Sequence, residues 1–79
     1  MSWTIQELAK YFSKLGISES LYSFYKEKDD AICLDRRNQE WLIYYSERGH
    51  IDELAWAKTE SQALDVMRLY VLSHSGKFI

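Results

Sequence analysis

The chain has 79 residues, with 10 Lys and Arg against 12 Asp and Glu, a formal net charge of −2 and a single cysteine. Length alone limits it to one domain spanning 1–79, since a chain this short buries only about 60% of the surface it exposes when unfolded. One cysteine closes no disulfide within the chain and builds no thiolate metal site, no 18-residue apolar run suggests a membrane span, and a mildly acidic balance argues against a nucleic-acid binder, whose affinity comes from clustered Lys and Arg.

Hydrophobic residues make up 47% of the chain and aromatics 15%. Each large ring buries roughly 150 to 250 Å², so few residues close a core. The N-terminus reads as an amphipathic helix instead of an export signal, and a reduced cysteine suits the cytoplasm, so a cytoplasmic protein without a membrane segment is expected.

The first helix is predicted to start after Thr4, whose hydroxyl can accept from the amide of Glu7 while the Glu7 carboxylate reaches back to Thr4. Trp3 and Leu8 stand where a hydrophobic staple places them, and Ile5, Leu8, Phe12 and Leu15 recur at helical spacing. Gly16 ends the helix because glycine accepts the left-handed backbone that follows a last turn, with Ile17 folding back on Phe12. Residues 17–30 follow neither period. They read as a short turn begun at Ser18 and then a connector.

Three runs rich in branched and aromatic residues follow: 31–36, 41–47 and 51–58. They predict strands, joined by connections at 37–39 and 48–50 too short for anything but antiparallel hairpins. Gly49 suits a left-handed position and a bulge. A second helix begins after Thr59, with Gln62 placed for another capping box and Ala63, Leu64, Met67, Val71 and Tyr70 as its apolar stripe, fraying from Ser73 to Gly76.

The resulting expectation is an α+β fold of order α-β-β-β-α: a three-stranded antiparallel meander with two helices packed on one face. Alternation puts Trp41, Ile43 and Tyr45 inward, with Ile32, Leu34, Leu54 and Trp56. Cys33, Leu42, Tyr44, Glu53 and Ala55 are left on an open face.

Chemistry is sparse. His50 and Asp52 share one side of a strand, yet two ligands without a third make no zinc site. His74 suits the negative end of the last helix dipole, and Cys33 has neither a fixed histidine nor a cationic neighbour to activate it. With only Gly16, Gly49 and Gly76 there is no phosphate loop, so no enzyme activity, metal or cofactor is expected. Charge is more informative. Residues 41–60 carry −2, the whole of the net excess. Glu47, Asp52, Glu53 and Glu60, beside Leu42 and Tyr44, are therefore the candidate partner-binding residues, forming one acidic patch that selects a basic protein.

The runs Leu15-Gly16-Ile17, Leu21-Tyr22-Ser23, Trp41-Leu42-Ile43-Tyr44-Tyr45-Ser46-Glu47-Arg48-Gly49 and Thr59-Glu60-Ser61-Gln62-Ala63 resemble small immunity proteins of bacterial polymorphic and contact-dependent toxin systems. That resemblance implies a non-enzymatic cytoplasmic protein that binds one cognate toxin C-terminal domain, often a basic nuclease, and blocks it. Double-stranded RNA-binding domains share the α-β-β-β-α order, but the second helix here opens on Thr59-Glu60-Ser61-Gln62, without their basic cluster. The remaining alternative is a small non-catalytic protein-interaction or homodimerisation module, the latter pairing through an exposed strand edge at 31–36 or 51–58.

Overall fold

The computed structural model describes residues 3–76. Helix α1 spans Ile5–Lys14 and the capping box forms in full: Thr4 Oγ1 accepts from the Glu7 amide at 3.2 Å and Glu7 Oε1 accepts from the Thr4 amide at 3.0 Å. The helix stops as the sequence demands. Gly16 takes φ 76° and the Ile17 amide returns to the Phe12 carbonyl at 2.9 Å, the six-to-one bond of a Schellman cap.

A 3-10 turn at Glu19–Leu21, capped by Ser18, leads into a strand the periodicity does not announce, β1 at Tyr22–Phe24. Strands β2 (Ala31–Arg37), β3 (Glu40–Glu47) and β4 (His50–Ala57) then form the expected meander. The sheet is thus four-stranded, in the order β1-β2-β3-β4, with β1 parallel to β2 and the other pairs antiparallel. Helix α2 (Glu60–Ser75) starts on Thr59, whose Oγ1 accepts from the Gln62 amide at 3.1 Å. It runs through the region expected to fray and ends on Gly76 at φ 77°.

Both helices cover one face. Leu8 and Phe12 of α1 and Ala63, Leu64, Met67, Val71 and Leu72 of α2 share one apolar cluster with Ile32, Leu34 and Ile43 of the sheet. Trp41, Tyr45 and Leu54 pack against that cluster as alternation requires, although Trp41 and Tyr45 are only half-buried. Tyr70 does not join it: it is exposed, with its hydroxyl on the Leu54 carbonyl, while Leu72, outside the expected stripe, is buried.

The two hairpin turns each use two residues, Asn38-Gln39 and Arg48-Gly49, all four at positive φ as tight antiparallel turns require. Gly49 therefore serves the turn, and the irregularity lies elsewhere. The register steps from Ile43 opposite Ala55 to Tyr44 opposite Glu53, leaving Leu54 as the extra residue of a bulge. Because side chains alternate with period two, one extra residue reverses the phase of everything after it. Trp56, expected inward, pairs with Leu42 on the face away from the helices and is exposed, while Ala55 turns to the helix side.

The parallel β1–β2 pair needs a crossover, and residues 25–30 supply it over the face expected to be open. Its corners are Tyr25 at φ 61° and Asp30 at φ 58°, neither a glycine. The Asp30 amide donates to the Ser46 carbonyl at 2.7 Å, the Arg48 amide donates to Asp29 Oδ1, and Lys28 Nζ donates to the Glu19 and Tyr22 carbonyls at 2.8 and 3.2 Å. These bonds strap the crossover to both sides of the sheet. Beneath it Cys33 is fully buried, its Sγ 3.7 Å from the Lys28 carbonyl.

Candidate functional site

Two of the six candidate residues are not on the surface. Leu42 is 0% and Tyr44 2% exposed, and together with Ala31 and Cys33 they form a second apolar cluster on the face opposite the helices, with Ile51 packed against it. The face expected to be open is closed by β1 and its crossover, which no local periodicity marks. Burial beside the Cys33 thiol, with Glu27 and Asp35 near, pushes the Tyr44 phenol up to about 12. Burial likewise raises the Cys33 thiol, which marks a packing residue and not a reactive thiolate.

The Tyr44 shift has a signed consequence for stability. A phenol that titrates higher in the folded chain than in the unfolded chain holds its proton more tightly when folded. Its contribution is complete below about pH 10, the unfolded value, and is lost as pH rises from there toward 12. Urea titrations from pH 8 to 11.5 should show stability falling along this limb. Tyr44→Phe should flatten the fall without abolishing it, since Tyr22 and Tyr25 are also raised by burial. An unchanged limb in that variant would place the Tyr44 hydroxyl in water.

The four carboxylates do not form one patch. Asp52 pairs with Tyr45 and so stands on the helix side of the sheet, whereas Glu53 pairs with Tyr44 and stands on the opposite side, accepting from the Trp56 indole N–H at 3.3 Å. Glu60 lies at the far end of the sheet, as the first residue of α2. There it accepts from the Tyr25 hydroxyl, which itself accepts from the Trp41 indole N–H at 2.9 Å, while the Arg36 guanidinium covers the Trp41 ring at 4.8 Å. Glu60 thus belongs to a local aromatic network and not to an acidic surface.

Glu47 and Asp52 do come together, with two carboxylates of the connector, Asp29 and Asp30. The crossover delivers Asp29 and Asp30 to the β3–β4 hairpin end. There the Asp30 amide donates to the Ser46 carbonyl and Asp29 Oδ1 accepts from the Arg48 amide, and burial first, then the charges of Glu47, Asp30 and Asp29, raise the Tyr45 phenol. Asp52 lines the adjoining groove of about 350 Å³ together with Ile32, Tyr45, Leu54, Tyr70 and His74. His74 packs on Tyr45 at 5.2 Å between ring centroids, and His50 Nε2 lies 3.0 Å from Asp52 Oδ1. Against these four carboxylates the hairpin holds one permanent cation, Arg48, a formal balance of −3 with neutral histidines. The Asp29-Asp30 pair immediately before β2 was the available signal for this end. Among the described residues no group of three or more His, Cys, Asp or Glu is arranged to hold a metal ion, and no helix is long and apolar enough to cross a membrane.

Comparison of the chain with family models, with curated proteins and with solved structures gives no match.

Proposed function

We propose that this protein is an immunity protein: a non-catalytic, cytoplasmic binder that neutralises a cognate bacterial toxin domain, a basic nuclease, through an acidic surface. The observation that carries the reading is the gathering of Glu47, Asp52, Asp29 and Asp30 at the β3–β4 hairpin end, where Asp29 and Asp30 are tied to Arg48 and Ser46 and Asp52 lines the groove with Tyr45 and His74. Carboxylates held there occupy the positions that nucleic-acid phosphates take in a basic cleft. Complementary charge of this kind speeds encounter and selects the partner, and half-buried aromatics supply contact area at low entropic cost.

The direct test is co-expression with the C-terminal domain of a large secreted protein encoded immediately upstream, where restored growth supports the reading and undiminished toxicity overturns it. Within that pair, Glu47→Lys with Asp52→Lys should fold normally, since both side chains are exposed. Titration calorimetry should show the double variant binding at least about tenfold more weakly at low ionic strength, with a shallower salt dependence than the parent. Equal affinity at every salt concentration would remove the hairpin end from the interface.

One observation favours a second reading, a homodimerisation module: β4 is hydrogen-bonded on one side only, leaving an eight-residue edge. The other edge once available to that reading, 31–36, is internal, because β1 pairs with it. A monomer in sedimentation at micromolar concentration would remove this alternative.

A further inference from the structure

We propose that the partner is engaged along the β4 edge, where an extended basic segment pairs with Ile51 and Glu53 and lays apolar side chains into the trough between β4 and α2. The inference rests on the reading of the protein as a binder of a basic partner and names the surface and the form of that partner.

Three grooves of about 370, 400 and 350 Å³ lie end to end along this flank, the first joined to the second at Val66 and the second to the third at Tyr70 and Ser73. Trp56, Leu69 and Tyr70, which line them, are 45, 41 and 36% exposed, three of the five large hydrophobic side chains so exposed among the described residues. Along α2 the trough extends from Gln62 to Ser73. At 1.5 Å per helical residue that is roughly 16 Å, the length of about five residues of extended chain.

The strand beside the trough has main-chain groups to offer. In a two-residue hairpin the residues flanking the turn, here Glu47 and His50, form the hydrogen-bonded pair. Alternation then turns the N–H and C=O of Ile51 and Glu53 away from β3. The outward alternation is interrupted at the bulge, where the Leu54 carbonyl is taken by the Tyr70 hydroxyl at 3.3 Å. An incoming strand therefore pairs over a short stretch before Leu54, and beyond it meets side chains.

Charge decides the occupant. The one Lys or Arg that lines the trough, Lys58, is already engaged with Glu40 at 3.0 Å. The carboxylates of Asp52 and Glu53 stand exposed on opposite faces of the edge. A second copy of this chain would bring its own Asp52 and Glu53 to the same edge. A segment with two consecutive basic residues flanked by apolar ones places one cation on each face and its apolar neighbours toward Leu54, Tyr70 and Trp56, a β-augmentation with charge-selected register.

The probe is the peptide acetyl-Thr-Val-Arg-Lys-Val-Thr-amide titrated into the 15N-labelled chain. Binding in the millimolar range should move the Ile51 and Glu53 amides and the Trp56 indole N–H most, and slow hydrogen exchange at those two amides by up to about twofold, the limit at half-occupancy. A control with both basic residues replaced by glutamate should leave the spectrum unchanged. Absence of shifts at 5 mM peptide (a concentration of about the millimolar Kd expected for so short a contact), shifts confined to Asp29, Asp30 and Glu47, or equal shifts with the acidic control would each overturn the proposal. In the toxin co-expression assay, Glu53→Lys with Trp56→Ala should lose protection while keeping the parent circular dichroism. Retained protection overturns the edge and spares the immunity reading; toxicity that the unmodified chain fails to relieve overturns that reading, while the peptide titration still reports on the edge.

Discussion

Replacing Leu42 by alanine should destabilise the protein by about 2 to 5 kcal/mol, the range for a buried leucine whose cavity relaxes only in part. The expectation follows from its position. Leu42 is fully buried opposite Trp56, in one cluster with Ala31, Cys33 and Tyr44, on a face that the crossover at 25–30 closes. A domain of this size has only a few kcal/mol of net stability, so the variant should be largely unfolded at 25 °C or melt far below the parent. Urea titration followed by tryptophan fluorescence measures the loss. A change under about 1 kcal/mol would return Leu42 to an exposed sheet face, and with it the docking role the sequence alone suggested.

That contrast shows where local pattern carries information and where it does not. Both helix starts were legible because Thr4 and Thr59 are side-chain caps with their partners three residues on, and α1 ended where Gly16 said it would. The three meander strands were legible because Asn38-Gln39 and Arg48-Gly49 leave no room for any other connection. The strand β1 was not. It has three residues, its partner β2 is ten positions away, and it pairs in parallel, so neither a hairpin turn nor a run of alternation marks it. The crossover was equally silent, since its left-handed corners are Tyr25 and Asp30 where glycine would have signalled a turn. The bulge at Leu54 left no glycine either, and one unmarked residue sent Trp56 to the wrong face. The same omissions shaped the candidate site. Glu47 and Asp52 were readable from the hairpin, but Asp29 and Asp30 join them only because a crossover exists, and Glu53 and Glu60 part from them because of strand parity and distance along the sheet.

Phe12→Ala is expected to have the largest effect of any single change in α1, about 3 to 5 kcal/mol. Phe12 is fully buried, with its ring 4.7 Å from Tyr22 and 6.1 Å from Tyr11. The contacts continue to Trp3, 5.3 Å from Tyr11, and to Phe24, 5.6 Å from Tyr22. This aromatic row joins the first helix to β1, and the Schellman cap adds to it by returning the Ile17 amide to the Phe12 carbonyl, with Ile17 buried in the same cluster. Loss of the ring removes the centre of the row and leaves α1 with Leu8 as its one remaining fully buried side chain. A ten-residue helix does not persist alone in water, so detachment of α1 and exposure of the Ile32–Leu34 side of the sheet should accompany the loss. Near-UV circular dichroism during thermal melting should show native tertiary signal absent or lost well below the parent transition. Phe12→Leu, which keeps most of the apolar volume, should cost about 1.5 kcal/mol or less and restore a cooperative melt. If Phe12→Ala instead melted cooperatively with a loss under about 1 kcal/mol, α1 would be held by its caps and Leu8, and the aromatic row would be a consequence of docking instead of its cause.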